Sequence, residues 1–403
     1  MTDLTRLVVD ALGPDAPRRI GVGVSGGGDS TALLYLLLAA GFTVEAVTVD
    51  HGLRAESLAE AQAVGRVCAG LGVAHTVLHW DGTQAQGNLM DAARRARLRL
   101  MGEWARGRGL AAMAIGHTAD DQAETFLMRL SRSAGLEGLS GIRSRFQAEG
   151  VTWYRPMLAI RRAALRDWLI QREIEWVDDP SNDNERFARV RARKALHALA
   201  AAGVTADHIG AVVAHLAAAN AALDRVLGPW MAEHVVETGA ELVVSAQAFT
   251  ALDPELRRRF LQTALIWVAA TDYGPRAAKL AAFLAAPRDA TLHGCRIRFA
   301  RGQMVLSREA RAVAGLTVAP GQPWDGWQVT GPTVDGVHIA ALGADGLAHC
   351  PDWRQSGISR AGLLASPAVW QGENLLAAPL AGLGTGWNAH NLRGRLADRG
   401  FSR

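Results

Sequence analysis

Apolar residues follow two rhythms along the first half of the chain. Nearly unbroken apolar runs recur at "RRIGVGV", "TVEAVTVD", "AHTVLHW" and "AAMAIGH". Between them lie stretches of helical period, "STALLYLLLAAG", "SLAEAQAVGRVCAGLG" and "LMDAARRARLRLMGEWARGRGL", each closed by glycine. Such an alternation predicts an α/β fold, a doubly wound parallel sheet with helices on both faces. After about residue 200 the pattern changes. Residues from His208 to Val236 and from Glu255 to Leu284 carry Ala- and Leu-rich amphipathic patterns, followed by short strands around "ATLHGCRIRFARGQMVLSRE". From about Ala312 the chain is rich in Gly, Pro and Trp. The expected division is an α/β domain over 1–200, a mainly helical domain over 201–311, and a small C-terminal module or extension over 312–403.

Composition supports this picture. A chain of 403 residues exceeds what one core organises, and 49% apolar with 20% charged residues describes a folded globular protein. No run approaches the roughly 18 apolar residues that span a bilayer, and "MTDLTRLVVDALG" lacks the basic start of a signal peptide. A soluble cytoplasmic protein without a membrane partner is expected. Cys68, Cys295 and Cys350 are widely spaced, which argues against a disulfide framework, zinc or an iron–sulfur cluster and favours core positions. Of 43 cationic residues only Lys194 and Lys279 are lysines, so nearly every cation is a planar guanidinium suited to phosphate.

The stretch "GVGVSGGGDSTALL" runs from an apolar strand through glycines into a helix. That arrangement aims backbone N–H groups and a helix dipole at one point, which makes an anion site of Ser25, Gly26, Gly27, Gly28, Asp29 and Ser30. A Walker loop would need a lysine where Asp29 stands. A dinucleotide fingerprint would need its glycines in the turn, whereas Gly21 and Gly23 fall within the strand. In a parallel sheet the segments after the strands open on one edge. "VDHGLR", with Asp50 and His51, and "GHTADDQAET", with His117, Asp121 and Glu124, therefore converge on the glycine loop. Thr118 and Asp121 have capping-box spacing, and Asp121 and Glu124 also share a helix face that suits Mg²⁺. Asp120, Asp121 and Glu124 together exceed what capping requires. Arg94 and Arg97 stand one turn apart with Arg95 beside them. Farther on, "WVDDPSNDNERFARVRARKAL" carries Arg186, Arg189, Arg191, Arg193 and Lys194 without an intervening acid after Arg186, a pattern suited to polyphosphate or RNA.

"SGGGDS" resembles the pyrophosphate loop of the ATP pyrophosphatase superfamily. "DHGLR", "GNLMDAARRARL", "GHTADDQAET", "RPML" and "WVDDPSN" with "RVRAR" then follow in the order and spacing of the bacterial tRNA(Ile)-lysidine synthases. Val190 and Leu98 depart from that family's usual polar and aromatic residues. The resemblance implies a PP-loop fold, ATP and Mg²⁺ as cofactors, and two partners, isoleucine tRNA with a CAU anticodon and free L-lysine. The wobble cytidine would be adenylated at C2 and the AMP then displaced by lysine. It further implies nucleotide binding by Ser25 to Ser30, Asp50 and His51, and catalytic roles for Asp29, Arg97, His117, Asp121 and Glu124. Asp121 and Glu124 would be metal ligands, and Arg94, Arg189, Arg191 and Arg193 would contact tRNA. A PP-loop tRNA thiolase is the nearest alternative, though such enzymes carry cysteine pairs that are absent here. A nonenzymatic nucleotide-binding regulator is another. Oligomeric state is not legible, and a homodimer stays open.

Overall fold

The computed structural model describes residues 3–52, 57–82, 89–177, 188–239, 241–384 and 386–398. Arg54, the Gly87–Asn88 pair and the "DDPSNDNERF" segment with Arg186 lie outside the described residues. The chain divides into two compact units, the first ending at Asn220 and the second beginning at Ala221.

In the first unit, helix α1 (Leu4–Leu12) precedes β1 (Arg19–Gly23), α2 (Gly28–Ala39), β2 (Thr43–Asp50), α3 (Ser57–Gly70) and β3 (Ala74–His79). Then come α4 (Leu89–Gly107), β4 (Ala112–Ile115), α5 (Ala119–Leu130), α6 (Leu136–Leu139), β5 (Arg145–Ala148), β6 (Val151–Tyr154), α7 (Arg162–Ile170) and α8 (Ala188–Ala201). The strands order as β3-β2-β1-β4-β6-β5. All neighbours are parallel except β5, which pairs antiparallel with β6. That antiparallel edge departs from the all-parallel expectation. Its cause is the two-residue turn Glu149-Gly150, with φ of 53° and 70°, the conformation that closes a tight hairpin.

Alternate strand residues serve opposite faces. Ile20, Val22, Val44 and Ala46 pack with α1, α2, α3 and α7, whereas Val47, Met113, Ile115 and Trp153 pack with Met101 and Ala105 of α4. Helix α2 is buried at Ser30 to Leu34, Leu36 and Leu37, so its sequence is apolar around most of its circumference. Gly21 and Gly23 do lie in β1, on the α4 face. A Cβ on Gly21 would come within 2.2 Å of the Met113 sulfur, and one on Gly23 within 3.2 Å of the Met101 sulfur. These glycines admit side chains from α4 and β4 and play no part in a dinucleotide turn. Because the chain leaves β1 towards β2 on one side and β4 lies on the other, the crevice between the ends of β1 and β4 is the topological switch point.

Helix α9 (Ala206–His234) continues from the first unit into the second. It is the one described helix long and apolar enough to cross a membrane. Such a segment also suits core packing: Ile209 and Val213 join Ala123, Phe126 and Leu127, while Leu227 and Met231 enter the core of the second unit. That core centres on α11 (Pro254–Ala269), preceded by α10 (Ala246–Ala251) and followed by α12 (Ala277–Ala285). The amphipathic stretch from Glu255 to Leu284 thus forms two helices. Ala270 turns left-handed at φ 51°, and Gly274 and Pro275 precede the restart. An antiparallel sheet packs with these helices, ordered β7 (Val235–Thr238), β8 (Glu241–Ser245), β11 (Gln303–Arg308), β10 (Cys295–Ala300) and β9 (Ala290–Leu292). The tail forms two three-stranded sheets. One joins β12 (Pro323–Trp324), β13 (Trp327–Thr330) and β17 (Asn388–Asn391), and the other joins β14 (Val337–Ala341), β15 (Pro367–Gln371) and β16 (Asn374–Ala377). The end of the tail is fastened to α11. Arg393 Nε donates to Trp267 O at 2.9 Å, Trp267 Nε1 donates to Gly394 O at 2.9 Å, and Leu396 joins the core.

Candidate active site

The glycine loop sits at the end of β1. Gly26 has φ 84°, a conformation that side-chain-bearing residues rarely adopt, and its carbonyl accepts from Val177 N at 3.0 Å. Ser30 ties the loop together: its Oγ accepts from Ser25 N at 3.1 Å and donates to Gly27 O at 2.9 Å. Helix α2 starts at Gly28 with Gly27 as an N-cap that makes no side-chain hydrogen bond. Its first N–H groups therefore lack intrahelical partners and face the loop with the positive end of the dipole. A Cβ on Gly28 would meet the Trp176 ring at 3.3 Å, which places Trp176 over the loop. A Cβ on Gly116 would meet the Asp29 backbone at 3.1 Å, so the segment after β4 lies directly against the glycine loop.

Asp50 and His51 stand at the end of β2. The Asp50 carboxylate accepts from Ser57 Oγ at 2.6 Å and Gly52 N at 2.9 Å and lies 3.3 Å from His79 Nδ1. The Ser57 and Gly52 hydrogen bonds hold it below the ordinary aspartate range. His51 packs edge-on against Trp80, and its buried Nδ1 has no partner. Burial, then the Arg97 charge, lowers its proton affinity.

Helix α5 presents its acids in different directions. Asp121 closes the capping box: Oδ2 accepts from Thr118 N at 2.8 Å and from Thr118 Oγ1 at 3.0 Å. Asp120 turns towards α7, accepting from Arg162 N at 2.7 Å and pairing with Arg161 at 3.2 Å. Glu124, only 1% exposed, meets three guanidinia: Arg193 at 2.9 Å, Arg189 at 3.1 Å and Arg162 at 3.6 Å. Arg162 also reaches Asp29 at 2.9 Å and Asp121 at 3.4 Å, and Arg189 reaches Asp121 at 3.6 Å. Burial raises the Asp29 proton affinity, with Arg162 opposing. Burial acts the same way on Asp121, but the Arg189 and Arg162 charges outweigh it and the net direction is down.

Helix α8 packs on α5, with Leu196 and Phe126 both set against the cluster of Ala123, Ile209 and Val213, and this sets its arginines. Arg189 and Arg193, one turn apart, face Glu124, whereas Arg191 is exposed. Of the four arginines expected to contact tRNA, Arg189 and Arg193 thus face an acid inside the crevice. Arg94 is exposed on α4, while Arg97 is turned inward with a buried, unpartnered Nε.

His117 leaves β4 with its Nδ1 buried and unpartnered. Burial, reinforced by the Arg155 charge, pushes its pKa down from 6.5 to about 3. The imidazole is therefore neutral in the working range, able to hydrogen-bond but not to supply positive charge. The unfolded chain takes up this proton near 6.5 and the folded chain only near 3, so the group removes stability as pH falls through that window. The His117 imidazole resonances are expected to stay in the neutral form from about pH 8 to pH 5; a titration midpoint inside that range would contradict the burial argument.

The magnesium expectation on Asp121 and Glu124 meets cations already in place, although the buried Glu124 Oε2 makes no hydrogen bond. Both Asp121 oxygens and both Glu124 oxygens already face capping groups or guanidinia. Among the described residues no group of three or more His, Cys, Asp or Glu side chains is arranged to hold a metal ion.

Sequence reasoning passed over Arg162, the cation common to Asp29, Asp121 and Glu124, and also Arg155. The latter is buried, donates to Arg143 O at 2.8 Å and stacks 4.2 Å from the Phe146 ring. Burial and then the neighbouring arginines lower it to about 10. The available signal was "RPML", which begins at Arg155 and runs into the turn that precedes Arg161 and Arg162.

Residues 2–200 match the family described as the PP-loop domain. A tRNA(Ile)-lysidine synthase of Ruegeria pomeroyi is 45% identical over 381 residues, covering 93% of this chain and 91% of that protein. One of Mesorhizobium japonicum is 36% identical over 380 residues, covering 87% and 82%. Among solved structures, the U34-tRNA thiolase of Methanococcus maripaludis, described with its 4Fe-4S cluster, superposes with a TM-score of 0.45 at 18% identity, covering 52% of this chain and 75% of that one. Cys68, Cys295 and Cys350 are free and buried, and burial pushes the Cys68 thiol up to about 11 and the Cys295 thiol up to about 12.

Proposed function

The chain belongs to the tRNA(Ile)-lysidine synthase family, and from that premise we propose how its crevice divides the two steps of lysidine formation. The enzyme is a tRNA-modifying, ATP-using ligase. In the first step the C2 oxygen of the wobble cytidine, in isoleucine tRNA with a CAU anticodon, attacks the α-phosphorus of ATP, and pyrophosphate leaves. The observation that carries this is the glycine loop: uncapped N–H groups at the start of α2 beside Gly26 form a cradle for the departing phosphates. Asp50 and His51, at the next strand end, are suited to holding the nucleotide. Arg97 and neutral His117, each with an unpartnered buried nitrogen, are suited to hydrogen-bonding the adenylate.

In the second step the amine of free L-lysine attacks C2 and AMP leaves. The amine must lose a proton, and a carboxylate whose proton affinity is raised accepts it better than one whose affinity is lowered. That favours Asp29 over Asp121 as acceptor, with Asp121 and Glu124 attracting the ammonium group. Mg²⁺ accompanying the ATP phosphates is part of the proposal, but no step is assigned to a protein-held ion. Arg94 and Arg191, both exposed, are the arginines best suited to tRNA backbone. We assign ATP chemistry to residues 1–200 and tRNA selection to 201–311 and 312–403, in the cytoplasm where mature tRNA resides.

Chromatography of products from ATP, lysine and isoleucine tRNA tests this. AMP and pyrophosphate are expected, with AMP release dependent on both lysine and tRNA. ADP and phosphate as main products would refute cleavage between the α and β phosphates.

A further inference from the structure

Arg162 opens α7 and places each guanidinium nitrogen near a different carboxylate. Nε donates to Asp29 Oδ2 at 2.9 Å, Nη2 to Asp121 Oδ1 at 3.4 Å, and Nη1 lies 3.6 Å from Glu124 Oε1. Arg189 and Arg193 reach α5, but of these three guanidinia it is Arg162 that joins α5 to the glycine loop. The start of a helix is its positive end and disfavours a cation. Helix α7 has no side-chain cap from its own N-cap residue; Asp120 Oδ2 accepts from Arg162 N instead, at 2.7 Å. Acids on both sides therefore hold an arginine where helix electrostatics alone would not.

On the premise of the family's two-step reaction, we propose that Arg162 is a positioning residue that locks the aspartate of the ATP loop to the carboxylates meeting the incoming amine. Both half-reactions then share one electrostatic frame. Asp29 is held against the phosphate cradle, and Asp121 and Glu124 keep a fixed separation from it. A planar guanidinium can address three carboxylates in three directions, whereas an ammonium is a point charge on a flexible stem. Charge alone would not substitute for it.

The test uses the full chain with ATP, lysine and isoleucine tRNA. It measures pyrophosphate release without lysine, then lysine-dependent AMP release. R162Q is expected to lower both steps by about 10²-fold, the scale of a misplaced catalytic frame, with the tRNA KM changed by less than about threefold. R162K should recover only a small part of the loss, and methylguanidine should restore R162G by about tenfold or more because it returns the planar fork. Both half-reactions of R162Q lying within about threefold of wild type would overturn the proposal. So would a loss that follows the folded fraction in thermal melts and is untouched by methylguanidine. The wild type is assayed first: absence of lysidine there would overturn the family reaction and the proposal with it, whereas an active wild type beside an unaffected R162Q overturns the role of Arg162 alone.

Discussion

Glu124→Gln should lower lysine-dependent AMP release by about 10²-fold or more, the scale expected when a positioned acid or base is lost. The carboxylate is buried and faces Arg162, Arg189 and Arg193, so neutralising it leaves three guanidinia facing one another across the crevice. Arg162 and Arg189 keep Asp29 and Asp121 as partners and Arg193 is partly exposed, so only a modest lowering of the thermal midpoint should accompany the loss of turnover. Asp121→Asn separates the two effects. An asparagine still offers Thr118 an acceptor, so the start of α5 keeps its cap and stability should change by no more than about 1 kcal/mol. Turnover should nevertheless fall by about as much as in Glu124→Gln, since the charge is gone. If activity in both variants merely tracked thermal stability, the carboxylates would belong to folding alone.

Removing the second unit should have the other large effect. Residues 1–220 contain the glycine loop, both flanking motifs and the cores on both faces of the sheet. ATP binding by this piece is expected within about threefold of the full chain, while preference for isoleucine tRNA over the methionine tRNA sharing its anticodon letters should vanish. A single cytidine is too small to identify one tRNA among many. Phosphate contacts from exposed residues such as Arg94 and Arg191 position the RNA without reading it. Competition binding with the two tRNAs measures the outcome. A truncated chain that folds and still chooses isoleucine tRNA would move discrimination into the first unit.

The Arg189 and Arg193 geometry shows where sequence reasoning stopped. Five cations with no acid between them point to RNA. For Arg189 and Arg193 the offsetting acid is Glu124, which lies 69 residues from Arg193 and is brought close by apolar packing of α8 on α5. The same distance in sequence hides the cations that meet Asp121 and Glu124: the two share a helix face as their spacing requires, and the guanidinia facing them come from other elements.

By itself the sequence determined the alternation of strands and helices in the first unit, the place of the glycine loop between β1 and α2, and the convergence of the loop with the ends of β2 and β4. Those features are periodic or local: side chains repeat with the pleat or the helical turn, glycine marks where the backbone must come close, and a parallel sheet opens its loops on one edge. The tertiary structure alone decided the antiparallel edge strand, the division of Asp120, Asp121 and Glu124 among three tasks, and the partner of each buried charge. Arg162 and Asp29 are 133 residues apart. No pattern along the chain encodes such a pair, because ion pairing depends on distance in space and on burial, and both are set only when the sheet and its helices have packed.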